Sequence, residues 1–218
     1  MKRILAFVAF FQAIVVLAHS QPLTSITQLK DVKKEAAYYT DLQYLVEDIG
    51  VTVSQDFYFY PNQACTKVYW ATLTNQIFDN VAEYISTSSM AIKNENKRDV
   101  VNTEMMLVFP SGYCNLENVV ITSTSQLKDI QDTANYFPDV QGLIERYGLV
   151  WATTATTFTP YATITRPAFE AFFAGAFKAT IPKKGTGLLA HADFIIYMAA
   201  WTRNVRDYIT KKVEEAKK

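Results

Sequence analysis

The sequence predicts a mainly α-helical protein, a single-domain bundle of five to seven helices. Glycine is scarce, with 7 residues in a chain of 218. In several long segments the apolar residues recur at spacings of three and four, the period of one face of a helix. We find no internal repeat, heptad run or low-complexity linker, so we expect one domain over residues 21–218. A small β element is compatible with residues 51–60 and 100–121, whose pattern is ambiguous.

The first twenty residues have the pattern of a secretory signal peptide. Lys2 and Arg3 precede an apolar stretch, and small residues occupy the −3 and −1 positions of a cut after Ser20. The alternative is an uncleaved anchor, but residues 4–18 are shorter than the ~20 needed to span a bilayer. We therefore expect a secreted, extracellular mature protein without a stable membrane span.

Without residues 1–20 the charge balance excludes several function classes. The remaining 19 Lys and Arg face 21 Asp and Glu, and His191 is the one remaining histidine. This balance provides no general attraction to nucleic acid. One histidine and two cysteines are too few for the usual zinc site. We expect no metal and no cofactor.

The two cysteines are expected to form a disulfide in an oxidising compartment. A bridge between Cys65 and Cys114 would use both thiols and leave none unpaired. The alternative is a catalytic thiol, for which His191 is the available partner.

The first elements are predicted from periodicity and capping signals. Residues 25–49 read as an amphipathic helix, with Ser25 and Gln28 as a capping box and Gly50 after its end. Residues 51–60 read as an extended connector, and residues 63–92 as the clearest long helix.

The middle of the chain alternates short segments with breaks. Residues 93–99 read as a charged break, and residues 100–109 as helix or strand before a turn at 110–112. Ser125 is expected to cap a short helix that Pro138 ends. A second short helix over 139–147 would end at Gly148.

The last third of the chain begins with an uncharged, threonine-rich run and continues with two helices. One helix starts at Arg166, and the other covers residues 188–215. The run over residues 153–165 could be a contact surface, a glycosylated segment or a packed loop.

No catalytic constellation is visible. Asp193 follows His191 by two residues, so it lies on another face of a helix and would not orient that ring. Nucleophile-elbow, phosphate-loop and dinucleotide motifs are absent from the sequence. A hydrolase whose catalytic residues come from distant parts of the sequence is a third interpretation.

The surplus of aromatic residues points to binding rather than catalysis. The last helix is apolar on both faces, and a Phe-rich helix precedes it. We therefore predict a non-enzymatic protein that holds a hydrophobic small molecule or lipid in an aromatic-lined cavity. The predicted lining residues are Phe169, Phe172, Phe173, Phe177, Phe194, Tyr197, Met198 and Trp201. The alternative role of these residues is that they form a packed core. The alternative function is that of a structural or protein-interaction component of an extracellular fluid or matrix.

Overall fold

The computed structural model describes residues 23–180, 182 and 185–218. The predicted signal peptide, residues 1–20, lies outside these described residues. The described part is mainly helical, as predicted, with 52% helix and six α-helices. The helices are α1 (Tyr39–Gln43), α2 (Lys67–Ser89), α3 (Glu95–Met106), α4 (Phe137–Gln141), α5 (Arg166–Phe177) and α6 (His191–Lys217).

One small parallel sheet joins two distant parts of the chain. Strand β1 (Tyr113–Cys114) pairs with β2 (Leu149–Val150), with Tyr113 opposite Leu149. The β element compatible with residues 100–121 is therefore these two residues. Residues 51–60 contain no strand, and they are extended only in part, because the segment bends at residues 55–57 and Phe57 and Tyr60 have left-handed backbones.

The expectation that the chain has no internal repeat is wrong. Residues 24–50 recur as residues 122–148, and 13 of the 27 positions are identical. The identical residues of the first copy are Thr24, Ser25, Gln28, Leu29, Lys30, Asp31, Ala36, Tyr38, Asp41, Gln43, Leu45, Glu47 and Gly50, each with its partner 98 positions later. We name residues 24–65 the first repeat and residues 122–164 the second repeat. The similarity weakens after Gly50, where the second repeat is one residue longer.

Both repeats begin with the same capped turn. In the first, Ser25 and Gln28 form the predicted capping box around a 3₁₀ turn, Ile26–Gln28. Glu47 Oε1 then accepts hydrogen bonds from the Ser25 hydroxyl (2.8 Å) and from the Ile26 N–H (3.0 Å). In the second, the cap is Ser123 rather than the expected Ser125, and Glu145 takes the place of Glu47.

The single helix predicted over residues 25–49 is wrong, because residues 29–38 lie outside any helix. The side chain of Asp31 accepts hydrogen bonds from the N–H groups of Phe59 and Tyr60, both at 2.7 Å. Asp129 binds Phe158 and Thr159 in the same way. Asp31 therefore ties this irregular segment to a distant loop, which periodicity within the segment does not reveal.

Each repeat then contains a short α-helix that continues into one π-helical turn. These turns are Tyr44–Asp48 after α1 and Gly142–Arg146 after α4. The expectation that Pro138 ends a helix is wrong, because Pro138 lies in the first turn of α4. Proline is tolerated there because the first N–H groups of a helix have no intrahelical partner. The repeats end their helical parts at Gly50 and Gly148, which have φ of 84° and 64°.

The two repeats exchange partners: each one packs against the long helix that follows the other. The first helical residue of α2 donates its N–H to the second repeat, and the first helical residue of α6 donates to the first repeat. The matched pairs are Lys67 N to Ala162 O (3.1 Å) with His191 N to Gln63 O (3.0 Å), and Val68 N to Pro160 O (2.8 Å) with Ala192 N to Pro61 O (3.1 Å).

Side chains repeat this exchange. In the first repeat, the Asp41 carboxylate pairs with Arg203 on α6 at 2.5 Å. In the second repeat, the equivalent Asp139 accepts a hydrogen bond from the Thr72 hydroxyl on α2 at 2.8 Å. Helices α2 and α6 thus occupy equivalent positions, each packed against one repeat. Helix α5 is an additional helix inserted between the second repeat and α6.

Helices α2, α5 and α6 follow the sequence expectations within a few residues, but α3 does not. The short helix expected from Ser125 to Pro138 is also wrong, because residues 127–136 lie outside any helix. The charged segment over 93–99 is not a break: Asn94 caps α3, its side chain accepting from the Lys97 N–H at 3.0 Å. Residues 100–106, part of the segment predicted as helix or strand, therefore belong to α3, and residues 107–109 follow its end. The buried residues of both repeats and the long helices form one core cluster.

The predicted disulfide is wrong. Cys65 and Cys114 are both free thiols, and they are not close to each other. Cys65 is fully buried, and this burial raises the pKa of its thiol far above the ordinary value. Cys114 is half-buried on β1. The pairing was inferred from compartment and cysteine count, neither of which contains information on distance.

We expect one thiol to react in the native protein and two in denaturant. Cys114 is partly accessible, whereas the reactive thiolate of Cys65 is disfavoured by burial. Titration with an aromatic disulfide reagent, before and after addition of guanidinium chloride, measures both numbers. Cys114→Ser should reduce the native count to zero. A count of zero for the wild type in denaturant would contradict the free thiols.

Candidate functional site

The structure brings all eight predicted aromatic-cavity residues together between α5 and α6. Each is buried, and the exposed fractions range from 0 to 7%. Phe169 is in contact with the rings of Phe194 (5.6 Å between centroids) and Tyr197 (5.1 Å). At the other end of α5, Phe177 contacts Trp201 edge-on at 5.3 Å. Rings in these tilted and T-shaped arrangements pack closely.

Sequence reasoning missed part of this cluster. Trp151 stacks on Phe172 at 4.4 Å, and Trp70 contacts both rings edge-on. Phe78 and Phe109 extend the cluster beyond Trp201. The sequence predicts α2 as a long helix but does not indicate that its Trp70 and Phe78 rings belong to this cluster. Trp151 lies next to α2 because the repeats exchange partners, and local periodicity contains no information on that exchange.

A cavity of about 300 Å³ lies at one edge of the cluster, where the end of α5 faces the turn after α3. Of the eight predicted residues, Phe177 lines it. We name it the α5 cavity. Its other lining residues are Leu107, Val108, Phe109, Pro110, Ser111, Tyr113, Gly175, Ala176 and Lys178. This volume is at the lower end of the range of small-molecule sites.

The α5 cavity has a lining that is more polar than apolar, although several buried apolar residues contribute to it. Phe109, Ala176 and Phe177 are buried and form the floor. Lys178 has a left-handed backbone, with φ of 49°, which ends α5. The Tyr113 hydroxyl approaches Gly175 so closely that a Cβ there would lie 2.4 Å from it.

Two buried basic residues occupy equivalent positions at the starts of α2 and α6. Lys67 Nζ donates to the carbonyl oxygens of Phe158 (2.9 Å) and Trp151 (3.2 Å). The Nδ1 atom of His191 lies 3.2 Å from the carbonyl oxygen of Phe59, the counterpart of Phe158 in the first repeat. Burial lowers the pKa of Lys67 to about 8 and also lowers the pKa of His191. Each of the two side chains thus contacts a loop of the repeat that packs against its own helix.

His191 is a buried histidine packed between a ring and a backbone carbonyl. Its ring stacks on Tyr69, with 3.6 Å between centroids and 3° between planes. Asp193 pairs with Arg166. His191 therefore contacts a tyrosine ring and a carbonyl oxygen, while the nearest acid in the sequence is engaged by an arginine.

The threonine-rich run is a loop held by its own hydroxyl groups. Thr154 and Thr157 join at 2.7 Å, and Thr153 and Thr159 join at 2.5 Å. Thr153 Oγ1 also accepts from Lys67 Nζ at 2.6 Å. These contacts place part of the run against the body of the protein.

The described residues contain neither a metal-binding cluster nor a membrane-spanning helix. Among residues 23–180, 182 and 185–218, no group of three or more His, Cys, Asp or Glu side chains is arranged to hold a metal ion. In the same part of the chain, no helix has both the length and the apolar character required to span a membrane.

Comparisons of the chain with protein-family models, with curated proteins and with solved structures find no match.

We expect Lys67 to add to the free energy of unfolding between pH 8 and pH 10, measured as the difference in pH dependence between the wild type and Lys67→Met, since the buried Cys65 thiol acts in the opposite direction in both proteins. In this range folded Lys67 has lost its proton while the unfolded chain, with an ordinary lysine pKa of 10.5, still binds it. The burial cost of the charge is thus present below pH 8 and is relieved above it. The rise should be about 2 kcal/mol by pH 9.5.

Urea unfolding of the wild type and of Lys67→Met at pH 7.5 and 9.5 measures this effect. Lys67→Met should lack the rise, whereas Lys34→Met, at an exposed lysine, should retain it. Equal pH dependence in all three proteins would refute the assignment of the effect to Lys67.

Proposed function

We propose that the protein is a non-enzymatic binding protein for a hydrophobic small molecule with one polar or anionic end. The observation that carries the proposal is the α5 cavity, which borders the aromatic cluster at Phe177 and has Lys178 at its edge. The extracellular location predicted from residues 1–20 belongs to this proposal and rests on that sequence alone.

The packing of the cluster refines where the ligand would bind. Rings at the centre, such as Phe169 and Phe194, contact one another directly and are fully buried. A ligand there would have to displace these contacts, which contribute to stability. In the α5 cavity the same ligand would contact Phe177 and Phe109 without displacing a core ring. The other predicted residues then act as the packed wall behind Phe177.

The polar edge of the cavity favours an amphipathic ligand over a pure hydrocarbon. The Lys178 ammonium would attract a carboxylate or sulfonate, and the hydroxyl groups of Ser111 and Tyr113 would bind polar atoms. Fatty acids and comparable amphiphiles have this combination of an apolar body and an anionic end.

A second candidate function is recognition of a protein, for which the exposed residues beside the cavity provide the observation. Leu107 is 79% exposed and Met106 is 43% exposed, at the end of α3. Large exposed apolar side chains that lie together are characteristic of contact surfaces. The Leu107 side chain also lines a second groove of about 410 Å³ with Tyr208 and Lys212.

We expect anilinonaphthalene sulfonate to bind the native protein and dodecanoic acid to displace it. Ser111→Trp should block the α5 cavity and abolish the displaceable fluorescence. Lys178→Glu should weaken dodecanoate binding about ten-fold or more, because it replaces an attraction by a repulsion. Lys34→Glu, which makes the same charge change at an exposed position, is the matched control.

Three outcomes separate the candidates. Retained binding in Ser111→Trp, or equal weakening by Lys178→Glu and Lys34→Glu, would contradict the cavity. An absence of any displaceable probe would contradict ligand binding altogether. If instead Leu107→Glu abolishes concentration-dependent association in sedimentation velocity while probe binding is absent, protein recognition is favoured.

A further inference from the structure

The exchange of repeats buries two basic side chains in equivalent positions, and their surroundings differ. The first crossing comprises the N–H groups of His191 and Ala192 on α6, which donate to the first repeat. The second crossing comprises the N–H groups of Lys67 and Val68 on α2, which donate to the second repeat. His191 is 5% exposed and Lys67 is 7% exposed, so each basic side chain is buried at the crossing that its own backbone forms.

The second crossing accommodates the positive charge of Lys67. An ammonium group has three protons, and Nζ lies at hydrogen-bonding distance from three oxygens: the carbonyls of Trp151 and Phe158 and the hydroxyl of Thr153. The carboxylate of Asp129, which holds the same loop, also favours the charged form. Because the pKa of Lys67 is about 8, the side chain is mainly protonated at pH 7 and below. Acidification below pH 7 therefore leaves this side chain unchanged.

The first crossing accommodates a neutral ring. Among the described residues, the His191 ring has one hydrogen-bonding partner, the carbonyl oxygen of Phe59, which lies 3.2 Å from Nδ1. A neutral ring with its proton on Nδ1 satisfies this carbonyl. A second proton would place a positive charge in a buried position at the N-terminus of α6, where the helix dipole disfavours a cation. This charge would have one acceptor, whereas Lys67 has three.

The helices around the His191 ring provide no compensating negative charge. On the side of α2 the ring stacks on Tyr69, and Cys65 lies just before that helix. Burial raises the pKa of both groups, so both are neutral below pH 7. On α6 itself, Asp193 is paired with Arg166. The face of the Tyr69 ring attracts a cation only weakly compared with a carboxylate.

The loop of the first repeat adds no free charge to this position. Asp31 lies behind the loop, and its two carboxylate oxygens accept from the N–H groups of Phe59 and Tyr60. Tyr38 contacts the Phe59 ring at 5.5 Å, and burial raises the pKa of its hydroxyl, so it is neutral as well. Within the described part of the chain, no carboxylate forms an ion pair with the His191 ring.

We propose that the first crossing is an acid-sensitive contact: uptake of one proton by His191 releases the first repeat from α6, while the second repeat stays bound to α2. The effector is the proton, and the contact responds between pH 7 and pH 5, where ordinary lysine and arginine side chains keep their charge. This regulatory property goes beyond the proposed ligand binding and does not depend on the α5 cavity.

The direction of the response follows from the two states of the ring. Burial lowers the pKa of packed His191 below the ordinary value of 6.5, and the hydrogen bond to Phe59 opposes this shift only in part. A released ring in water has the ordinary pKa, so it binds a proton at pH values where the packed ring does not. The released form is therefore favoured as the pH falls through 6.5.

Hydrogen exchange of the whole protein at pH 7.2 and pH 5.5 tests the proposal. After correction for intrinsic exchange rates, the opening constant of the His191 and Ala192 amides should rise at pH 5.5. The ordinary pKa of a released ring limits this rise to about ten-fold. The Lys67 and Val68 amides should keep their opening constants. An equal rise at both crossings, or no rise at the first, would overturn the proposal.

Matched substitutions at the two equivalent positions separate protonation from packing. His191→Gln retains a donor for the Phe59 carbonyl but takes up no proton, so the first crossing should have the same opening constant at both pH values. His191→Lys introduces a permanent charge and should loosen the first crossing at both. Lys67→Gln is the matched control, in which the first crossing should keep the wild-type pH response. A response that persists in His191→Gln would contradict the proposal.

NMR of the imidazole signals provides a measurement that needs no variant. The midpoint of the His191 titration should lie below 6.5, and the rise of the opening constant at the first crossing should follow proton uptake over the same pH range. If His191→Gln does not fold, this comparison decides. A midpoint at 6.5 or above, or an opening constant that does not change with protonation of the ring, contradicts the acid-sensitive contact.

Discussion

The architecture depends on the crossing at which each repeat hydrogen-bonds to the start of the other repeat's helix. Lys67 and His191, the first residues of α2 and α6, donate their N–H groups across this crossing. Their side chains approach the carbonyl oxygens of Phe158 and Phe59. Backbone groups buried at such a crossing need partners, and the exchange supplies them from both repeats. The loops, the long helices and the aromatic cluster all take their positions from it.

Departures from this symmetry are the places where function is to be sought. The inserted helix α5 has no counterpart in the first half, and its end forms the α5 cavity with the turn after α3. Gly142 stands where the first repeat has Tyr44. Where the repeats agree, as at Asp31 and Asp129, the side chains hold loops in place. Shared residues thus build the frame, and the inserted helix contributes its cavity.

The helical class and the long helices could be predicted from the sequence, because they depend on local periodicity. The sequence also groups the eight residues between α5 and α6, but as the lining of a cavity, whereas the structure packs them in the core. The sequence did not predict the segments fixed by distant contacts. Asp31 ties an apparently periodic segment to Phe59, and Pro138 begins a helix instead of ending one. The repeat was present in the printed residues, 98 positions apart, but it is invisible to a search for short periods.

The exchange also has a consequence for the order in which the chain is completed during synthesis. The first repeat is synthesised early, yet the helix it packs against, α6, comprises residues His191–Lys217 at the far end of the chain. Its hydrogen bonds at Gln63 and Pro61 must therefore wait until the last segment has left the ribosome. The second repeat, by contrast, finds α2 already made. The contacts between the second repeat and α2 can therefore form earlier during synthesis than those between the first repeat and α6.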